Sequence, residues 1–153
     1  MDKFDKQILS ILQQDATLSV SDIANQIGLS TTPCWRRIQA MEKNGIIRGR
    51  VALADAEKLN VGLTVFVMVR TNQHNPQWLD EFAKTAQEFP EIVEFYRMSG
   101  DVDYLLRVVV SDMKAYDSFY KRLIDKASFA DISSSFAMEE IKYTTALPVD
   151  YVK

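Results

Sequence analysis

The chain has 153 residues, 47% hydrophobic and 25% charged, with a formal net charge of −3; this is the balance of a globular protein with one ordinary core or two small ones, and it argues against a disordered or fibrous chain. No apolar run approaches the ~20 residues that span a bilayer, and the opening MDKFDKQILSILQQD mixes acids, bases and apolar residues unlike a secretory leader. A single cysteine leaves no intrachain disulfide and fits a reducing compartment, so a cytoplasmic protein with no membrane partner is expected.

In chain order, Asp2 to Gln14 predicts a first helix with Phe4, Ile8, Ile11 and Leu12 on one face. Ser19 is placed to cap a second helix whose apolar positions Val20, Ile23, Ala24 and Ile27 share a side. Gly28 follows, a residue free to take positive φ where the chain must turn sharply. The third helix carries Cys34, Ile38 and Met41 as a narrow inward stripe, with Thr32, Arg36, Gln39 and Lys43 on the opposite side. Asn44-Gly45 marks a turn, and residues 46–53 predict a short hairpin, a wing, on which Arg48 and Arg50 point the same way.

Charge along the chain is uneven. Residues 1–50 hold seven Lys and Arg against five Asp and Glu, whereas the remainder holds 11 bases and 16 acids. Between 35 and 50 the ratio is five bases to one acid. A helix, a tight turn, a cationic helix and a basic hairpin make the layout of a winged helix-turn-helix that docks on double-stranded DNA. The plainer alternative is a helical hairpin with a solvated charged face. In the DNA reading Arg36 is the candidate for base contact through a bidentate guanidinium, with Gln39 and Lys43 beside it. Arg48 and Arg50 reach the phosphate backbone. Arg37 lies about 60° off the buried stripe, where a phosphate contact and an intramolecular pair with Asp or Glu are equally open. Thr31 and Thr32 open the helix and suit either a phosphate or a cap. Trp35 fits the flank against the wing, and Cys34 belongs to the core.

After a linker over residues 54–62, a second unit begins. LTVFVMVRT predicts a strand, Pro76 to Phe89 a helix ended by Pro90, Ile92 to Met98 a strand, Ser99 to Val102 a turn and Tyr104 to Val110 a strand. Asp112 to Lys126 follows as a helix with Met113, Tyr116, Phe119, Tyr120 and Leu123 buried, then a strand over Ile132 to Met138 and a fifth over Ile141 to Thr144. The order β-α-β-β-α-β is ferredoxin-like, and the chain as a whole is of the α+β class. Its expected domains are residues 1–53, a winged helix-turn-helix, and 63–153, a ferredoxin-like domain. Helices cover only one side of such a sheet. The other side, still apolar at Phe66 and Met68, predicts a homodimer.

Catalytic chemistry finds no support. His74 is the single histidine and sits in a polar loop, no His/Cys cluster has metal spacing, and no glycine-rich phosphate loop or nucleophile motif occurs. Neither an enzyme nor a cofactor or metal is expected. Gly100 permits a tight turn with close approach of a ligand to the backbone. Its amides suit a carboxylate, and Asp101 or Asp103 an ammonium, although GDVD also reads as an ordinary turn with solvated acids. Two of Ser133, Ser134 and Ser135 point the same way and suit ligand contact or simple edge-strand polarity equally.

MDKFDKQILSILQQDATLS, LSTTPCWRRIQAMEKNGII, MSGDVDYLLRV and SSFAMEEIKYTTALP together resemble the leucine-responsive/asparagine regulator (Lrp/AsnC) family, from about Met1 to Pro148. The resemblance implies a transcriptional regulator with an N-terminal winged helix-turn-helix and a ferredoxin-like effector domain. It implies dimers that join into octamers or other higher assemblies, and a small amino acid effector held between subunits. The recognition motif then falls on Thr31, Thr32, Pro33, Cys34, Trp35, Arg36 and Arg37. The effector turn falls on Gly100, Asp101, Val102, Asp103 and Tyr104, facing Ser133 to Ser135. Many relatives carry Tyr where this chain has Val102, which alters the expected pocket. The rival reading is a ligand-independent architectural DNA-binding protein.

Overall fold

The structure, a computed structural model, describes residues 1–73 and 75–152; the expectation for His74 lies outside the described residues. The chain forms two compact units. One comprises residues 1–53 joined by the tail from Ile141 onward, the other residues 54–140.

Three helices build the first unit: α1 (Lys3–Gln14), α2 (Val20–Ile27) and α3 (Thr31–Lys43). Each boundary has a local chemical cause. Asp2 accepts from the Asp5 amide while the Asp5 side chain accepts from the Asp2 amide, a reciprocal capping box that opens α1. Ser19 accepts from the Asp22 amide and opens α2, and Gly28 closes it at φ 71°, a left-handed conformation that a β-carbon would strain. Ile8, Leu12, Ile23, Ala24, Cys34, Ile38 and Met41 form the core. All are aliphatic or sulfur-bearing, which lets three short helices approach closely.

Two expectations fail at the edges of this unit. The wing hairpin does not form: residues 48–55 carry no strand. The amides of both Ile46 and Ile47 bond to the Met41 carbonyl, which ties the chain back to the end of α3 and leaves no opposing strand for a ladder. Val51 and Leu53 remain exposed. The fifth strand over Ile141 to Thr144 is also absent, and the tail, expected with the sheet, packs in the helical unit. Gln13 anchors it there, donating to the Leu147 carbonyl at 3.0 Å and accepting from the Leu147 amide at 2.7 Å. A side-chain amide that mimics a peptide group competes well with a strand edge for a lone segment.

The second unit opens with a turn over residues 55–61, in which Asp55 accepts from the amides of Glu57 and Lys58. Then come β1 (Leu63–Arg70), α4 (Pro76–Gln87), β2 (Ile92–Arg97), β3 (Tyr104–Val110), α5 (Met113–Lys126) and β4 (Asp131–Phe136). The sheet is antiparallel in the order β2-β3-β1-β4. Alternation decides what each face does. Val65, Val67, Val69, Tyr104, Leu106 and Val108 are buried under the helices. On the other face, Phe66 lies between Arg107 and Ser135 and Met68 between Leu105 and Ser133, a largely apolar surface that no element of this unit covers. Burial of one such Val or Leu contributes ~1.5–3 kcal/mol, against ~0–1 for a surface ion pair, so the valine face outweighs the charges around it. Met113, expected in the core, is exposed at the start of α5. Asp112 caps that helix through the Ala115 amide.

Candidate nucleic-acid interface

Helix α3 presents three kinds of surface. Cys34, Ile38 and Met41 are buried, and burial pushes the Cys34 thiol above its ordinary value, so it stays protonated in the core. Thr32, Arg36, Gln39 and Lys43 are exposed on the opposite side. Thr31 and Pro33 are exposed in the first turn, where proline's missing N–H costs no helical bond. Ser30 makes no side-chain capping bond, so the opening amides of α3 are not satisfied by that side chain.

The two flanks between these surfaces each hold an ion pair. On one, Arg37 Nη1 lies 2.6 Å from Asp2 Oδ2 and 2.7 Å from Asp5 Oδ1, with the guanidinium 5.6 Å from the centre of the Phe4 ring. The acceptors are the two carboxylates of the α1 capping box. The Asp5 amide, joined by the Arg37 guanidinium, holds Asp2 below the ordinary carboxylate range, and Asp5 followed by Asp2 raises Arg37. Arg37, expected at DNA or in an ion pair, is committed to the pair because its flank faces the start of α1.

On the opposite flank, Glu42 Oε1 accepts from Arg50 Nη2 at 2.9 Å, and its Oε2 accepts from Gln39 Nε2 at 2.8 Å. Arg50 is thereby drawn toward α3 rather than standing beside Arg48 on a ribbon. Of the five cations between residues 35 and 50, Arg36, Lys43 and Arg48 carry no ion pair among the described residues. Sequence reasoning missed Asp2, Asp5 and Glu42. Glu42 had a signal, as the single acid in a basic stretch; nothing in Asp2 and Asp5 pointed to a partner more than 30 residues away.

The expected effector residues are divided by the sheet. Gly100 takes φ 123° in an exposed turn. The turn is closed by the Met98 amide donating to the Asp103 carbonyl at 2.8 Å, and Arg70 Nε donates to the Asp101 carbonyl at 2.7 Å. The Asp103 carboxylate accepts from the Thr71 amide at 2.8 Å. Asp101 is exposed and Val102 half-buried. Tyr104 turns into the core against Trp78, Phe82 and Phe95. Ser134 points to the helix side, where it shares a short hydrogen bond with the Tyr116 hydroxyl; burial raises that phenol while the Ser134 bond opposes the rise. Ser133 and Ser135 are exposed on the strand positions that alternate with Ser134. In one subunit the Gly100 turn joins β2 to β3, and β1 lies between β3 and the edge strand β4.

This arrangement, a capped three-helix unit with an outward cationic helix ahead of a βαββαβ sheet, has close counterparts. The family model for the Lrp/AsnC ligand binding domain matches residues 64–147. The chain belongs to the Lrp/AsnC family. Residues 1–48 match a winged helix-turn-helix DNA-binding domain, and this family member is a DNA-binding transcriptional regulator. It is 50% identical to the DNA-binding transcriptional activator DecR of Escherichia coli over 98% of this chain and 99% of that one. It is 44% identical to the glutamate uptake regulatory protein of Zymomonas mobilis over 97% and 91% of the two chains. Among solved structures it is similar to an AsnC family regulator from Agrobacterium tumefaciens, with 63% identity, a TM-score of 0.98 and full coverage of both chains. A regulator from Neisseria meningitidis solved as a complex with L-Met shares 34% identity over 98% of this chain and 97% of that one, at a TM-score of 0.93. These relatives are regulators, and no group of three or more His, Cys, Asp and Glu residues among the described residues is arranged to hold a metal. No helix among them is long and apolar enough to cross a membrane.

Proposed function

We propose that this Lrp/AsnC regulator reads a specific duplex through α3, with Arg36 and Gln39 at base edges and Thr31, Thr32, Pro33, Lys43 and Arg48 at or near the phosphates. The observation that carries this reading is the sorting of charge: Arg36, Lys43 and Arg48 stay outward and unpaired while Arg37 is committed inside its own unit. A guanidine–guanine contact is worth ~1–3 kcal/mol of discrimination. Footprinting with Arg36→Ala tests it. Loss of sequence-selective protection is expected, and protection equal to wild type would remove Arg36 from the reading surface.

The same reading gives the regulator a small amino acid effector at the Gly100 turn, completed by a second subunit. The relative solved with L-Met supports a ligand of this class, and the placement of β1 between the β2–β3 hairpin and β4 supports a contribution from a partner. The partner is a second copy docked on the open sheet face around Phe66, Met68, Leu105 and Val109, where ~800 Å² per subunit makes a stable interface. Light scattering is expected to give a dimer or a larger even assembly. Calorimetry against the twenty amino acids tests the effector; heat is expected from at least one. Silence from all twenty would favour the architectural, ligand-independent regulator instead. The reading includes no catalytic step and a cytoplasmic site of action.

A further inference from the structure

Glu42 is the single acid between residues 35 and 50, amid five cations. It lies on a flank of α3, and both its oxygens are in use: Oε1 accepts from Arg50 and Oε2 from Gln39. Gln39 is on the outward face of α3, and Arg50 belongs to the strap after it. No strand holds that strap; beyond the Ile46 and Ile47 amides on the Met41 carbonyl, the Glu42–Arg50 bridge ties it to the last turn of the recognition helix. The bridge is partly open to water, with side-chain exposures of 43% for Arg50 and 35% for Glu42. Such pairs are weak and exchange readily for another anion.

We propose that Glu42 is a specificity-determining residue of the DNA-reading surface. It rests on the assignment of α3 to DNA. On a duplex without the matching sequence, Glu42 keeps Arg50 and Gln39 to itself, and its own charge lies close enough to the phosphates to repel them within a Debye length of ~8 Å. A matching duplex offers Gln39 a base edge and Arg50 a phosphate together, and only then does releasing both partners bring a net gain. The carboxylate therefore lowers binding to all DNA but lowers binding to the wrong DNA more. Each phosphate neutralised steepens the dependence of log K on log salt by about 0.9, so one masked arginine is a measurable quantity.

The test uses the full chain, fluorescence anisotropy, and two duplexes of equal length: one selected by the wild type from a random pool and one scrambled. Titrations run at several salt concentrations. Glu42→Gln keeps the shape and removes the charge. It is expected to bind the scrambled duplex at least threefold more tightly, with a salt slope steeper by about 0.9, while the selected duplex changes less than twofold. Arg50→Ala is expected to weaken the selected duplex several-fold and to leave the scrambled one within twofold, and adding it to Glu42→Gln restores the wild-type slope. Equal gains on both duplexes, no gain on the scrambled one, or an equal loss of both duplexes in Arg50→Ala would overturn the proposal. Should the wild type select no sequence at all, the assignment of α3 to sequence-specific reading fails and the role of Glu42 falls with it, an outcome distinct from altered selectivity in the variants. Circular dichroism melts establish that the variants are folded.

Discussion

The two units are held together in different ways. The helical unit has a core of aliphatic side chains and Cys34, with no aromatic ring among its fully buried members, and its helices depend on caps and ion pairs at their ends. The sheet unit is built on rings. Phe82 alone lies within 5.0–5.8 Å of Trp78, Phe95, Tyr104 and Phe129, above a valine-lined sheet. Tilted and edge-on ring pairs add ~0.5–1.5 kcal/mol beyond the area they bury. A unit that reads DNA needs its charges outside and a slim core that lets α3 stand proud. A unit proposed to carry a ligand turn and a dimer face would need rigid support behind both.

The largest effect should fall on the rings. Phe82→Ala is expected to cost about 3–5 kcal/mol, and hydrogen exchange should show protection lost in the sheet unit first. Equal loss in both units would mean that the two cores open together. Ile38→Ala removes a fully buried side chain from the helical unit and is expected to cost about 2–4 kcal/mol. Denaturant unfolding followed by circular dichroism measures it, and DNA affinity should fall in parallel.

Smaller effects isolate the edges of the helical unit. Ser19→Ala deletes the α2 cap and should cost about 1 kcal/mol, read from the shift in the thermal midpoint. A shift within error would place the stability of α2 wholly in its packing. The smallest change concerns pH. Asp2 titrates below its ordinary value near 3.8 in the folded chain, so its contribution to stability is complete above that value and disappears as pH falls through the folded pKa. Asn still caps a helix but carries no charge for Arg37. Asp2→Asn should therefore flatten the acid limb of the stability profile and leave pH dependence above 6 unchanged. An acid limb identical to wild type would remove Asp2 from the linkage.

Much of the molecule is legible in local sequence. Ser19, Gly28 and the Cys34–Ile38–Met41 stripe mark the ends and the inner face of two helices, and alternation in LTVFVMVRT sets the two faces of β1. These signals survive folding because they depend on neighbours within one turn or one pleat. Tertiary structure alone decided which charges remain available. Arg37 found Asp2 and Asp5 across more than 30 positions, Arg50 found Glu42 in place of a hairpin, Ser134 went under Tyr116, and the tail found Gln13. A flank cation has several acceptors of nearly equal merit, and the choice among them follows from where distant segments come to rest.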